Sequence, residues 1–172
     1  MDKVEQHVNL VKINQLWAPW RMELIKKPKK SPCFFCDFIP HPDNDKENLI
    51  LERNKYTFVI MNKYPYSNGH LMIVPYKHSG NMEEHAIETY EELMASTVKW
   101  QTILKNVVNA QGFNIGINIG AVAGAGVAEH IHIHIVPRWL GDTNFMPVLG
   151  DVKIINQSLE ELYEKLYAKV SQ

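Results

Sequence analysis

The 172-residue sequence predicts an α+β fold, with an antiparallel sheet of about five strands, one long central helix and a C-terminal helix. Three observations predict it. Short apolar runs bounded by turn residues occur on both sides of the chain's middle. A single long segment of helical period separates them. The elements follow one another as mostly strands around one helix. The apolar fraction of 45% and aromatic fraction of 10% suffice for a buried core, and the length suits one domain, so a disordered chain is excluded.

Residues 1–48 form a Pro-rich arm holding five of the nine prolines. Trp17 and Trp20 in this arm predict either a packing anchor or an aromatic wall beside a ligand. Residues 49–138 form the core and 139–172 a C-terminal extension, all within a single domain spanning 1–172. Strands are predicted over residues 49–53 and 56–61, joined at Asn54 and Lys55, and over 70–75 after a loop punctuated by Pro65, Asn68 and Gly69. Asn81 offers an N-cap, with Glu83 and Glu84 in the first turn. The apolar positions Ile87, Tyr90, Met94, Val98, Leu104, Val107 and Val108 then predict a helix to about Asn109, closed by Gly112. Strands follow over 113–119 and 129–138, separated by a Gly/Ala loop over 120–128. Ser158, with Glu161 three residues on, predicts the cap of the last helix.

Eighteen basic against nineteen acidic residues leave a net charge of -1, which argues against a nucleic-acid polymer as partner but not against a small anion held locally. No window offers the roughly 20 apolar residues of a membrane helix. The nearest, residues 112–128, carries Asn114, Asn118 and five glycines. Charges at Asp2, Lys3 and Glu5 stand where a signal peptide needs its apolar stretch. The expectation is a cytoplasmic protein without a membrane partner.

The most informative segment is His130-Ile131-His132-Ile133-His134-Ile135-Val136. On a strand, successive side chains alternate faces, so three imidazoles share one face and three isoleucines the other. Such crowding is costly unless metal ligation, or nucleophilic and acid–base chemistry, uses it. The preceding loop of Gly120, Gly124, Gly126 and alanines lets a ligand approach the backbone, whose N–H groups suit a phosphate. Loop and histidines together favour chemistry at phosphorus. Cys33 and Cys36 have the spacing that lets two thiolates reach one tetrahedral ion. Alone they are half a zinc site or a redox pair, although a redox pair usually opens a helix. His7, His41 and His85 lack comparable context and are expected at the surface.

With these motifs the sequence resembles the histidine-triad (HIT) superfamily of nucleotide hydrolases and transferases, whose signature of three histidines alternating with apolar residues matches residues 130–136 throughout. Asn62 and the strand Gly69-His70-Leu71-Met72-Ile73-Val74-Pro75, and Asn118-Ile119-Gly120 ahead of Gly124 and Gly126, are similar to further family motifs, over about residues 33–138. Leu16-Trp17-Ala18-Pro19-Trp20-Arg21 and Pro137-Arg138-Trp139 resemble a bacterial branch that includes diadenosine tetraphosphate phosphorylases and hydrolases.

The resemblance implies a HIT-like sheet and a nucleotidyl transferase or hydrolase acting on dinucleoside polyphosphates through a nucleotidyl-histidine. It makes His132 the nucleophile and gives His134 a phosphate oxygen or the leaving group. Asn62 would meet the ribose, His70 lie near the nucleotide, and Asn118, Gly124 and Gly126 serve the phosphates. Zinc-containing members imply a closed structural Zn²⁺ site on Cys33, Cys36, His78 and His130, and the family implies a homodimer. Competing readings are a nucleoside phosphoramidate hydrolase and a weakly catalytic nucleotide-binding module. A third is a metallo-hydrolase whose three triad histidines share one metal, although Glu129, the one acidic residue nearby, faces the opposite side.

Overall fold

Asn54 and Lys55 turn the chain between its first two strands, where the Asn54 N–H donates to the Thr57 carbonyl at 2.8 Å. The computed structural model describes residues 33–142, 155 and 157–170. Its elements are α1 (Phe34–Phe38), β1 (Ile50–Arg53), β2 (Thr57–Met61), β3 (Leu71–Pro75), α2 (Ile87–Val107), β4 (Gly112–Ile117), β5 (Ile133–Arg138) and α3 (Leu159–Tyr167). The five strands form one antiparallel sheet in the order β1-β2-β3-β5-β4. His7, Trp17 and Trp20 lie outside the described residues.

The register explains both faces. Met61, Leu71 and Ile135 lie opposite one another, as do Val59, Ile73 and Ile133, and these side chains meet α2 and α3 through Leu93, Trp100, Leu104, Leu162 and Leu166. The alternate row runs from Ile50 to Ile60, Met72, His134 and Gly116. That second face is partly covered by Cys33 and Phe35. The period of two thus separates a helix-covered core face from a face that carries His134. α3 is capped as expected, with the Glu161 N–H donating to Ser158 Oγ at 3.1 Å.

Four expectations change around α2. Asn81 caps only a short turn, Met82–Glu84, and its Nδ2 donates to Glu84 Oε1 at 2.7 Å instead of capping. Ser79 Oγ donates to the same carboxylate at 2.8 Å. This closed knot leaves His85 and Ala86 extended, so the helix starts at Ile87. His85 is consequently tucked inward and buried, not at the surface, whereas His41 is exposed.

The apolar stripe is only partly buried: Leu104 enters the core and Tyr90, Val107 and Val108 pack against it, but the rest points elsewhere. Ile87, Met94 and Val98 are 66%, 56% and 60% exposed. The buried face is Thr89, Leu93, Ser96, Thr97, Trp100 and Leu104, where small polar residues let the helix approach the sheet and Thr97 Oγ1 donates back to the Leu93 carbonyl. Trp100 is retained there because its Nε1–H donates to Glu52 Oε2 at 2.8 Å. Finally, the left-handed residue after α2 is Asn109, at φ 52°, whereas Gly112 already begins β4.

Candidate active site

β3 and β5 set the site's frame, since Met72 pairs with His134 and the chain reaches β5 from the Gly/Ala loop. The predicted strand over 129–138 joins the ladder only at Ile133. His130 and His132 precede it, because the Ile131 N–H donates to the Ser79 carbonyl at 2.9 Å rather than to a strand. Gly80 makes this approach possible: a Cβ there would lie 2.4 Å from the Ala128 carbonyl oxygen.

Backbone partners assign a different state to each triad histidine. A carbonyl accepts only, so the ring nitrogen facing it carries the proton. His130 Nε2 donates to the Pro75 carbonyl at 2.8 Å, which leaves its Nδ1 bare. His132 Nδ1 donates to the His130 carbonyl at 3.0 Å, which leaves its Nε2 bare. The third assignment runs through the loop before β3. Asn62 Oδ1 accepts from the Tyr64 N–H, so its Nδ2 faces His70 Nδ1, which also accepts from the Tyr66 N–H at 3.1 Å. The His70 proton is therefore on Nε2, 2.9 Å from His134 Nδ1, and His134 keeps its own proton on Nε2. That nitrogen is buried and has no hydrogen-bond partner among the described residues.

The centre therefore places a bare Nε2 on His132 beside an Nε2–H donor on His134, with the two rings 4.6 Å apart. Burial lowers the pKa of His132, against the raising effect of the His130 carbonyl. Burial, and then the neighbouring His132, hold His134 down at about 4. Both rings are neutral at pH 7.

Stability should record this. Between about pH 6.5 and pH 4 the unfolded chain protonates His134 while the folded chain does not, so the contribution is complete above pH 6.5 and is lost on acidification. From His134 alone the loss is about 2–3 kcal/mol by about pH 4.5. Urea unfolding of wild type and His134→Gln between pH 7 and 4.5 should converge as the pH falls. Parallel curves would refute the assignment.

His70 thus meets His134 directly, whereas Asn62 reaches it only through His70 and spends its amide on bracing the loop. Ile117, which pairs with Ile133, ends β4, and Asn118 follows directly at the entry to the Gly/Ala loop. Gly120 and Gly124 take φ of 78° and 87° in the loop that follows. Added Cβ atoms at Gly124 and Gly126 would meet nothing within 4 Å, so this backbone is open to a ligand.

Cys33, Cys36, His78 and His130 converge independently, with their ligand atoms within 4.8 Å of one another. His130 Nδ1 lies 3.3 Å from both Cys33 Sγ and His78 Nδ1 and 3.6 Å from Cys36 Sγ. Cys36 Sγ is 3.3 Å from His78 Nδ1. The edges of a tetrahedron with usual zinc–sulfur and zinc–nitrogen bonds are about 3.3–3.8 Å, so the donors fit a metal ion. The bare Nδ1 of His130 is the state a ligand needs.

Cys33 does stand at the start of a helix, as the first cysteine of a redox pair does, although its side chain makes no capping hydrogen bond. However, burial, and then Cys33, push the Cys36 thiol up to about 11 in the absence of a cation, opposite to a reactive thiolate. The four-residue set also divides the triad, since His130 turns to the cysteines and His132 does not.

Two site residues escape sequence reasoning. Phe35 packs 5.2 Å from the His132 ring, and Tyr66 lies 4.6 Å from His70 and 5.8 Å from His134. Their signals were position alone: one sits inside the Cys pair, the other shortly before Gly69-His70.

Fold and site together define a histidine-triad protein: the HIT domain model matches residues 43–139, and the chain belongs to that family. AP-4-A phosphorylase of Mycobacterium tuberculosis is 39% identical over 156 residues, spanning 87% of this chain and 80% of the relative. The asymmetrical bis(5'-nucleosyl)-tetraphosphatase of Schizosaccharomyces pombe is 30% identical, over 54% of this chain and 50% of that protein. Among solved structures, a zinc-bound histidine triad family protein from Mycobacterium smegmatis aligns with a TM-score of 0.65 and 26% identity, covering 81% of this chain and 94% of that one.

Proposed function

We propose that this protein cleaves dinucleoside polyphosphates, such as diadenosine tetraphosphate, at an α-phosphate through a nucleotidyl-histidine intermediate. The observation that carries this is the pair of complementary rings, a bare Nε2 on His132 beside the Nε2–H of His134. The names of the phosphorylase and tetraphosphatase relatives support the substrate class.

His132 Nε2 attacks the α-phosphorus, forming the N–P bond as the P–O bond to the leaving nucleotide breaks. The positive charge gained by the ring is met by the His130 carbonyl on Nδ1–H. His134 stays neutral, and its Nε2–H hydrogen-bonds the departing oxygen and stabilises the charge that gathers there. Amides of the loop carrying Gly124 and Gly126 stabilise charge on the phosphate, with Asn118 toward the leaving phosphates and Asn62 toward the ribose. His70 holds His134 in the donor state from beside the nucleotide. Water or inorganic phosphate then takes the nucleotidyl group and restores His132.

The proposal includes a structural Zn²⁺ on Cys33, Cys36, His78 and His130, four ligands that leave no open position. When bound, the ion ties residues 33–38 to the segment entering β5. It further includes one domain over 1–172, supported by α3 sharing the sheet's core. Two cysteines not joined in a disulfide suit a reducing, cytoplasmic setting, and no described helix is long and apolar enough to cross a membrane. A homodimer is proposed through β4, an edge strand with exposed Ile115, and the exposed stripe of Ile87, Met94 and Val98.

Chromatography of the products from diadenosine tetraphosphate tests the reading. Phosphate-dependent ADP plus ATP is expected of a phosphorylase, and phosphate-independent AMP plus ATP of a hydrolase. Absence of both, with phosphoramidates consumed instead, would overturn the polyphosphate assignment.

A further inference from the structure

The nucleophile's ring needs more than one hydrogen bond to stay aimed. The bond from His132 Nδ1 to the His130 carbonyl restrains one atom, and the imidazole can still swing about its side-chain torsions. Its neighbours limit that motion. His134 abuts it at 4.6 Å and 71°, and Phe35 lies against it at 5.2 Å and 57°. Phe35 is fully buried, 5.4 Å from His130 and 6.3 Å from Phe58, so it is wedged between two triad histidines and the sheet.

Phe35 sits on α1, a helix of five residues, too short to hold its place by its own hydrogen bonds. Both ends are tied down by distant parts of the chain. At the C-terminal end Arg53 donates to the carbonyls of Phe38 and Ile39 at 2.8 and 3.0 Å. At the other end, Cys33 and Cys36 flank Phe35 and converge with His78 on His130. His130 is also the residue whose carbonyl holds His132. The cysteine clip and the nucleophile's restraint therefore meet at one residue, with Phe35 between them.

We infer that Phe35 is a positioning residue that clamps the His132 imidazole in its attacking orientation, and that the Cys33–Cys36 knuckle anchors this clamp as well as the arm. The inference rests on His132 being the nucleophile. Truncating Phe35 frees the ring while leaving substrate contacts and metal ligands in place. The loss belongs in kcat and not in KM.

The test uses Phe35→Ala and the more conservative Phe35→Leu in the full chain, with three measurements. Metal content is expected at the wild-type stoichiometry. For diadenosine tetraphosphate, kcat should fall about 10- to 100-fold for alanine and less for leucine, with KM within about twofold, the scale on which small misplacements of reacting groups act. In ¹⁵N-histidine NMR, the His132 Nδ1–H resonance should be sharp in wild type and broadened or fast-exchanging in both variants. The resonance needs no substrate, so it separates failure of this inference from failure of the proposed function. Unchanged kcat with an unchanged resonance would overturn the clamp. So would a kcat that falls only in proportion to lost metal, because Phe35 would then merely support the metal ligands.

Discussion

Replacing His132 by alanine is expected to lower turnover of diadenosine tetraphosphate by about 10⁴-fold or more, the scale seen when a covalent nucleophile is deleted. The loss follows from the tautomers. Among the triad, His132 is the ring whose Nε2 lone pair is left bare by its own backbone partner, since His134 keeps its proton on Nε2 and His130 turns Nδ1 to the cysteines. Without it no nucleotidyl-histidine forms, and labelled nucleotide should no longer be trapped on the acid-quenched protein. His134→Ala should act differently, costing about 10²–10³-fold on the natural substrate. Much of that loss should be recovered with a nitrophenyl nucleotide ester, whose leaving oxygen spreads its charge into the ring and needs little hydrogen-bond stabilisation. Far-UV circular dichroism should be unchanged for both variants. Turnover by His132→Ala within about tenfold of wild type would exclude the covalent route.

Metal removal carries the second large effect. The chain is expected to purify with one zinc per protomer, and stripping it, or Cys36→Ser, should lower the melting temperature by about 10–20 °C. A structural zinc contributes on the order of 10 kcal/mol in small peptides that fold around it, and a chain of this length shifts by about 2–4 °C per kcal/mol. Only part of that contribution applies here, because the sheet has its own core under α2 and α3. The ion is expected to matter most for residues 33–38, which add Cys33 and Phe35 to the opposite face. Metal analysis with calorimetry decides the matter. A metal-free protein whose melting temperature ignores chelators would leave the four residues as packed thiols and imidazoles.

Much of this site was legible in the sequence because its geometry is local. Three histidines two residues apart share a face in any extended chain, and the ladder of β5 keeps His134 beside Met72 and Gly116 as that period requires. The Cys33–Cys36 spacing announced half a metal site for the same reason. The helix was harder, since its apolar stripe of Ile87, Met94 and Val98 has a sound helical period yet faces outward. Period shows that a helix forms; which side it buries depends on the sheet beneath, and here that side is Leu93, Ser96, Thr97, Trp100 and Leu104.

By itself, then, the sequence determined the order of strands along the chain, the alternation of the three histidines with isoleucines and half of the metal-type cluster, while its other two ligands followed from the family resemblance. Tertiary structure decided what each histidine is. His130 is made a donor to Pro75 by a strand 55 residues away, and His134 becomes an Nε2–H donor through His70, 64 residues away. A proton's position on an imidazole depends on which group lies opposite, and that group is supplied by folding, not by neighbours in sequence. Phe35 shows the same limit. Nothing in Cys33-Phe34-Phe35-Cys36 distinguishes its two rings, and only the fold buries Phe35 against His132 while leaving Phe34 at the surface.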